Sequence, residues 1–294
     1  MPALGTLRVV VGGAICFALG IAWHARDGER AQADPTAPAT QAPVFPMEAR
    51  LGANIWLQTS AEYRACCLQI YRLAGQRLEV ILKTATEKPG KPAIVMDLDE
   101  TVFDNSAFQT YLYANRLEYS QKLWDEYEEK YWKDVTLIPG AKEFIQKAEA
   151  LGVTVIYISN RTVPYETSTI KALEHNGLNV AGIKQRMILR PENGSSDKSS
   201  RRDEVSARFN VLMYFGDNLR DFAEAFAAPK MAKDASVADY RQAIDARLKS
   251  ADEAACHWGV DWFVIPNPVY GEWEKLIGSR PAGILHPTTM PIKN

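Results

Sequence analysis

The chain has 294 residues, of which 47% are hydrophobic and 24% are charged, and its formal net charge is −2. This is the composition of a globular protein with enough apolar residues for one sizeable core, or for a core and a smaller cap. The near-neutral charge argues against a nucleic-acid polymer or an anionic membrane surface as a partner.

The first 33 residues have the pattern of a secretory leader. Arg8 precedes an apolar run over residues 9–23 that contains no charged residue. This run is short for a membrane span but has the length of a signal-peptide core, and Ala31-Gln32-Ala33 fits a small-x-small cleavage site. We expect residues 1–33 to be a signal peptide or, if uncleaved, an N-terminal anchor. The protein is therefore expected to be exported, whether periplasmic, associated with the cell envelope or secreted.

Residues 34–49 are rich in proline and alanine and are expected to form an extended linker. This leaves residues 50–294 for the folded part of the chain. No internal repeat of about 20 to 50 residues is visible, so we expect a single domain rather than a repeat array.

The cysteines do not form a complete disulfide framework. Cys16 lies in the leader, where the preceding Ile15 is too large for a typical lipoprotein cleavage box. The other three, Cys66, Cys67 and Cys256, are an odd number. Either of the adjacent pair could bond to Cys256 in an oxidising compartment, but we favour three small buried hydrophobic side chains. No cysteine and histidine spacing indicates zinc.

The rest of the chain alternates between helical and strand patterns. Helical patterns occur at residues 54–82, 140–151, 167–175 and 235–254, and apolar runs typical of buried strands occur at residues 94–96, 153–158, 211–215 and 262–265. A polar and aromatic stretch at residues 111–132 is either a solvated helix or a cap over a substrate. Strands that alternate with helices predict an α/β fold with a mostly parallel sheet and helices on both faces.

Polar groups follow three of the predicted strands. They are Asp97 and Asp99 after the first strand, Ser159 after the second, and Asp217 and Asp221 after the third, with Lys198 in the loop before that third strand. Open α/β sheets bind ligands at the carboxyl ends of their strands. We therefore expect these side chains to share one site.

These residue types suit phosphoryl transfer. A carboxylate can attack phosphorus and form a covalent intermediate, which divides a difficult displacement into two easier ones. Because a carboxylate repels a phosphate dianion, such a site also needs a divalent cation and fixed donors, and magnesium prefers oxygen ligands. Lysine is a compact charge suited to phosphate, and a second carboxyl group can protonate the leaving oxygen and then activate water.

The same residues resemble the four motifs of the haloacid dehalogenase (HAD) superfamily. In order, the motifs are Asp97-Leu98-Asp99-Glu100-Thr101, then Ser159-Asn160-Arg161, then Lys198, and then Gly216-Asp217 with Asp221. More narrowly, residues 97–106, 158–161 and 197–202 are similar to the secreted class C acid phosphatases, which include bacterial surface lipoproteins with 5′-nucleotidase activity. The resemblance covers roughly residues 50–273.

The resemblance implies a fold, a cofactor and the two central catalytic groups. The fold would be a HAD-like Rossmannoid three-layer sandwich with a mostly parallel sheet and a small, mainly helical cap at about residues 104–136. Asp97 would be the nucleophile that forms an aspartyl-phosphate, and Asp99 would be the general acid and base. A Mg²⁺ ion would be held by the Asp97 and Asp217 carboxylates and by the Asp99 carbonyl.

Three further residues would act on the phosphoryl group. Ser159 and Lys198 would hold it during transfer, and Asp221 would orient the lysine or lie in the outer shell of the metal. Lys184 is an alternative candidate for the lysine that holds the phosphoryl group. It lies further from the third strand, however, and the residues around Lys198 match the family.

The resemblance also implies contacts with the substrate. Trp124 and Tyr270 would hold a nucleoside base or another apolar leaving group between them, and Asn160 and Arg161 would bind substrate. For Arg161, a role in positioning other groups and a role as a cap between helix and sheet are both open. Asp104 most simply makes a turn with the Asn-Ser that follows it.

These features together predict a magnesium-dependent phosphomonoesterase with an acidic optimum, because Asp99 must carry a proton when the leaving group departs. The expected partner is a nucleoside 5′-monophosphate or another small phosphomonoester. A membrane is a partner only through an uncleaved leader, and a homodimer is left open. Two alternatives also stay open: a HAD phosphatase or phosphotransferase of different substrate class, and a non-catalytic binding or storage protein on the same scaffold.

Overall fold

A five-stranded parallel sheet lies at the centre of the fold. The computed structural model describes residues 47–84, 90–278 and 281–286, so the predicted leader and most of the predicted linker lie outside the described residues. In chain order the elements are α1 (Met47–Thr59), α2 (Ala61–Thr84), β1 (Lys91–Met96), β2 (Phe103–Asp104), α3 (Ser106–Ala114), α4 (Gln121–Lys130), β3 (Thr136–Leu137), α5 (Ala141–Ala150), β4 (Thr154–Thr162), α6 (Glu166–His175), β5 (Met187–Arg190), α7 (Ser199–Arg208), β6 (Phe209–Gly216), α8 (Val237–Glu253), β7 (Trp262–Val264) and α9 (Pro281–Ile284). Among the described helices, none combines the length and the apolar character needed to cross a bilayer.

The strand order of the main sheet is β5-β4-β1-β6-β7, and its pairings are parallel. The chain starts in the middle of the sheet with β1, adds β4 and β5 on one side, and then crosses to the other side for β6 and β7. The order therefore reverses at β1, and the crevice at such a point is where open α/β sheets bind ligands. The predicted α/β fold is confirmed, but the sequence patterns did not predict the short strand β5.

Both faces of the sheet are covered, which explains why its strands read as continuous apolar runs. On β1, Ile94 and Met96 belong to a large core shared with α2 and α5. Ala93 and Val95 face a smaller core on the opposite side, which includes Val205 of α7. All four β1 side chains are buried. Helices on the two faces thus make the predicted three-layer sandwich.

The single helix predicted over residues 54–82 is wrong, because two helices occupy this region. α1 ends at Thr59 and α2 begins at Ala61. The hydroxyl of Ser60 between them accepts a hydrogen bond from the Tyr63 N–H (2.9 Å) and so caps the second helix. α1 begins at Met47, inside the segment that was predicted to be linker.

A small, mainly helical cap follows β1, in the segment where the sequence predicts it. The cap consists of α3 and α4, and β2 and β3 pair antiparallel at its base. The Asp104 carboxylate accepts a hydrogen bond from the Ser106 N–H (2.8 Å) at the start of α3. The prediction that Asp104 makes a turn is therefore confirmed.

The three cysteines outside the leader are free. Cys67 is buried, Cys66 is half-buried and Cys256 is exposed. A disulfide between Cys256 and either of the adjacent pair is therefore ruled out in this structure. The interpretation as buried hydrophobic side chains is confirmed for Cys67 and wrong for Cys256.

Candidate active site

A cavity of about 390 Å³ opens at the carboxyl edge of the sheet, against the cap. The predicted site residues that line it are Asp97, Asp99, Trp124, Asn160, Arg161, Lys198, Asp217, Asp221 and Tyr270. Ser159 is the exception, because it is fully buried in β4 and its Oγ accepts a hydrogen bond from the Arg161 N–H (3.1 Å). A direct contact between Ser159 and a phosphoryl group stays a prediction.

A tight turn after β1 brings two carboxylates to the same cavity. The Asp97 N–H still donates to the Phe215 carbonyl of β6 (3.0 Å), but the Leu98 carbonyl then accepts from three successive N–H groups, those of residues 101–103. Glu100, inside this turn, has a φ of 53°, which is uncommon for a residue with a side chain. The chain therefore reverses immediately after Asp97, and Asp99 lines the cavity beside it.

Three carboxylates form a cluster at the floor of the cavity. Asp97, Asp217 and Asp221 each offer an oxygen, and these oxygens all lie within 4.8 Å of one another. Gly216 makes this possible, because a Cβ at that position would overlap the Asp221 side chain. A set of convergent carboxylate oxygens is the donor set that a hard divalent cation takes. These residues therefore fit the cation that the sequence predicts.

Burial makes the charges of this cluster unfavourable in the absence of a cation. It raises the pKa of Asp97 to about 7, although Lys198 opposes the rise, and the nearby Asp221 and Asp99 add to it. Burial, followed by the charges of Asp221 and Asp97, raises the pKa of Asp217 well above its ordinary value. A divalent cation at this place would offset the repulsion that both groups experience.

Lys198 bridges two members of the cluster. Its Nζ lies 2.6 Å from Asp97 Oδ1 and 2.6 Å from Asp221 Oδ1. Burial lowers the pKa of this lysine, but the two carboxylates more than offset that effect, so the pKa lies above its ordinary value and the group stays charged. Lys184, by contrast, is exposed and pairs with Glu166 away from the cavity. The structure thus brings Lys198 to the site and leaves its competitor outside.

The Asp99 carboxylate lines the same cavity and is held by its own set of donors. Arg161 donates to Asp99 Oδ1 from both Nη2 (2.8 Å) and Nε (2.9 Å), and Asn105 Nδ2 donates to the same oxygen (3.0 Å). The Arg161 side chain is fully buried, and its Nε also lies 3.5 Å from Glu128 of α4. Of the two interpretations of Arg161, these contacts support a positioning role.

Several residues that support the site were not predicted from the sequence. Asn267 Nδ2 donates to Asp217 Oδ2 (2.8 Å), while Asn105 and Glu128 are the contacts of Asp99 and Arg161 described above. Asn267 follows β7 as the predicted carboxylates follow β1 and β6, so its position at a strand end was a usable signal. Asn105 in a turn and Glu128 in a charged helix carry no such signal.

The two predicted aromatic residues lie on the same cavity. Trp124 of α4 and Tyr270 after β7 are both half-buried, and Tyr119, before α4, lines the cavity with them. Trp124 also packs edge-on against Phe108 of α3, with ring centroids 5.1 Å apart. The cap therefore presents an aromatic surface to the cavity, beside the carboxylates.

The raised carboxyl pKa values predict how the metal-free protein responds to pH. Burial raises the pKa of Glu128 to about 8, although Arg161 opposes this, and it raises that of Asp97 to about 7. The folded state then holds protons that the unfolded chain has already released, so the free energy of unfolding falls as pH rises. We expect the free energy of unfolding in EDTA to fall by several kcal/mol between about pH 5 and pH 8.

Thermal melts in EDTA and with a saturating divalent cation check this expectation. Because protons and the cation compete for the cluster, the cation should raise the melting temperature more at about pH 8 than at about pH 5. Stability that increases with pH in EDTA, or an equal gain from the cation at both values, would contradict the electrostatic account of the cluster.

Comparison with known proteins identifies the family to which this site belongs. Residues 29–273 match the family described as HAD superfamily, subfamily IIIB (Acid phosphatase). The structure of the class C acid phosphatase from Bacillus anthracis is similar, with 33% sequence identity and a TM-score of 0.67, over 79% of this chain and 89% of that chain. A second structure of that enzyme, with tungstate bound, has 32% identity and a TM-score of 0.67 over 84% of this chain and 93% of that chain. The chain therefore belongs to the subfamily IIIB acid phosphatases of the HAD superfamily, and it is a class C phosphomonoesterase.

Proposed function

We propose that this acid phosphatase depends on magnesium, works through a phosphorylated Asp97, and acts on nucleoside 5′-monophosphates and other small phosphomonoesters. One observation carries the proposal: the Asp97 carboxylate lies in a carboxylate cluster and 2.6 Å from Lys198, while Asp99 is held separately by Arg161 in the same cavity. The two carboxyl groups of the Asp-x-Asp motif thus have different surroundings, which suits different chemical roles.

In the first half-reaction Asp97 acts as nucleophile. One of its carboxylate oxygens attacks phosphorus, and the bond between phosphorus and the leaving oxygen breaks. The Asp99 carboxyl group gives its proton to that oxygen, which leaves as an alcohol. Lys198 holds the reacting oxygens by its charge, and Arg161 keeps Asp99 in a fixed orientation.

In the second half-reaction water removes the phosphoryl group. The Asp99 carboxylate takes a proton from a water molecule, whose oxygen attacks phosphorus. The bond between phosphorus and the Asp97 oxygen breaks, inorganic phosphate leaves, and both carboxyl groups return to their starting states. The tungstate bound to the Bacillus anthracis enzyme is also a tetrahedral oxyanion, which supports oxyanion binding in this family.

The charge balance of the site supports the magnesium requirement. The cluster of Asp97, Asp217 and Asp221 carries three negative charges when ionised, and Lys198 supplies one positive charge. The Asp97 and Asp217 carboxylates and the Asp99 carbonyl would hold Mg²⁺, which would supply the positive charge needed to accept a phosphate dianion. Asp221 already accepts hydrogen bonds from Lys198 and from the Asn218 N–H (3.0 Å), which suits the role of orienting the lysine.

Phosphate release from adenosine 5′-monophosphate, with magnesium and with EDTA, tests the proposed function. We expect EDTA to lower the rate by at least about 100-fold, because the removed charge contributes several kcal/mol to the stabilisation of the transition state. Addition of magnesium in excess should restore the rate. An equal rate in EDTA and in magnesium would contradict the proposed metal dependence.

Trp124 tests the proposed substrate class. Stacking of a base on an aromatic ring contributes about 1–3 kcal/mol, so Trp124→Ala should lower kcat/KM for adenosine 5′-monophosphate about tenfold or more. Glycerol phosphate, which has no ring, should lose much less. Trp132→Ala is the matched control, because Trp132 packs edge-on against His175 and does not line the cavity. Equal losses on both substrates would contradict a stacking role for Trp124.

A further inference from the structure

The wall of the cavity beside β5 carries a positive charge that no carboxylate of the described residues balances. Arg190, the last residue of β5, lines the cavity and has no ion-pair partner within the residues that the structure describes. Its Nε is buried and has no hydrogen-bond acceptor there. A buried donor without an acceptor is unfavourable, and an anionic ligand in the cavity would supply one.

The other arginines that line the cavity differ from Arg190 in their ion pairs, although Arg161 Nη1 and Arg220 Nε are also buried without an acceptor among the described residues. Each of them has a carboxylate partner: Arg50 pairs with Glu118 and Glu274, Arg161 with Asp99 and Glu128, and Arg220 with Glu224 and Glu272. Those charges are already balanced within the chain. Arg190 is thus the arginine of the cavity wall that is available to an anion.

A second guanidinium group adds to the positive charge on this side. Arg201 donates to the Ser159 carbonyl (2.6 Å) and to Asn160 Oδ1 (2.7 Å), which are neutral acceptors. Burial lowers the pKa of Arg201, Asp97 opposes this, and the like charge of Arg190 adds to the lowering. An anion bound to Arg190 in the cavity would offset the like charges of the two guanidinium groups.

Asn160 supplies a neutral donor to the cavity that Arg190 also lines. Its Oδ1 is occupied by Arg201, so its Nδ2 is the end left to donate, and the residue is exposed on the cavity wall. Where β5 pairs with β4, Arg190 lies opposite Thr162, which follows Ser159 on β4. The two donors are therefore displaced to the side of the carboxylate cluster, where the leaving group of a substrate would extend.

We propose that Arg190 and Asn160 form a subsite for a second phosphate group on the leaving group of the substrate. A phosphate suits the arginine fork, and its dianionic charge matches the two positive charges of Arg190 and Arg201. This inference rests on the proposed function, since it names the substrate class of the same cavity. The preferred substrates are thus small bisphosphates, such as a nucleoside 3′,5′-bisphosphate, rather than monophosphates.

A pair of matched nucleotides tests the subsite. We would measure kcat/KM for removal of the 5′-phosphate from adenosine 3′,5′-bisphosphate and from adenosine 5′-monophosphate in magnesium, with the products separated by chromatography. Wild-type protein should favour the bisphosphate about tenfold or more, as expected for a charge-assisted hydrogen bond. Arg190→Gln should bring the ratio close to one, and Arg190→Lys, which keeps the charge, should retain part of the preference.

Two further variants distinguish a local contact with Arg190 from the overall electrostatic field of the cavity. Arg50→Gln removes the same charge from a balanced position and should keep the wild-type ratio. Asn160→Asp places a carboxylate in the subsite and should lower the ratio. A wild-type ratio near one, an unchanged ratio in Arg190→Gln, or an equal fall in Arg50→Gln would overturn the subsite. If the monophosphate is hydrolysed without preference, only this inference fails; if neither nucleotide is hydrolysed, the proposed function fails as well.

Discussion

Replacement of Asp97 by asparagine is expected to lower kcat by at least about 10⁴-fold, as loss of a nucleophile does in other covalent mechanisms. The amide has nearly the shape of the carboxylate, but its oxygen is a poor nucleophile towards phosphorus. The change also removes one of the three carboxylates of the cluster. Phosphate release at saturating magnesium and adenosine 5′-monophosphate measures the effect.

The interpretation of Asp97→Asn requires that the protein stays folded. We expect its melting temperature in EDTA to equal or exceed that of the wild type, because burial makes the ionised form of Asp97 unfavourable and raises its pKa to about 7. Asp104→Asn is a matched control, since Asp104 lies in the same segment but accepts from the Ser106 N–H outside the cavity. A variant at Asp97 that keeps more than about a tenth of wild-type activity would contradict the nucleophile assignment.

Replacement of Asp99 by asparagine is expected to have an effect that depends on the leaving group. An alkoxide needs a proton to leave, so kcat/KM for a nucleotide should fall by about 10²- to 10⁴-fold. A nitrophenolate leaves without a proton, so kcat/KM for 4-nitrophenyl phosphate should fall much less.

A structural effect of Asp99→Asn would give a different result. The substitution removes a carboxylate from Arg161, which keeps Glu128 as a partner at 3.5 Å. If the loss came only from a displaced arginine or a distorted cavity, both substrates would lose activity by similar factors. Equal losses on the two substrates would contradict the role of Asp99 as general acid.

The sequence predicted the strand ends because the physical causes are local. A run such as Ile94-Val95-Met96 is apolar at every position because both faces of β1 are covered, and a carboxylate that follows directly cannot be part of that core. Asp97, Ser159 and Asp217 were thus placed at one edge of the sheet. Strand β5 was not predicted in this way, because its four residues alternate between buried and half-buried positions and do not form a fully buried apolar run.

The contacts between distant residues could not be predicted in the same way. Arg161 and Asp99 lie 62 positions apart, and their hydrogen bonds depend on the turn after β1 and on the packing of the cap. The chain has a helical pattern on both sides of Ser60. Only the hydrogen bond from the Tyr63 N–H to the Ser60 hydroxyl, which caps α2, reveals the break between the two helices. The burial of Cys67 and the exposure of Cys256 likewise follow from tertiary packing.

The proposed function depends most directly on the phosphorylation of Asp97 during turnover. Asp99→Asn should slow hydrolysis of the intermediate, because water then lacks its general base, whereas formation from an aryl phosphate needs no proton donor. We would mix this variant with radiolabelled aryl phosphate and magnesium, quench in acid, and map the labelled peptide. We expect label on the peptide that contains Asp97, and we expect hydroxylamine to release this label and Asp97→Asn to abolish it. Continued turnover without protein-bound label, or label on a different residue, would contradict it.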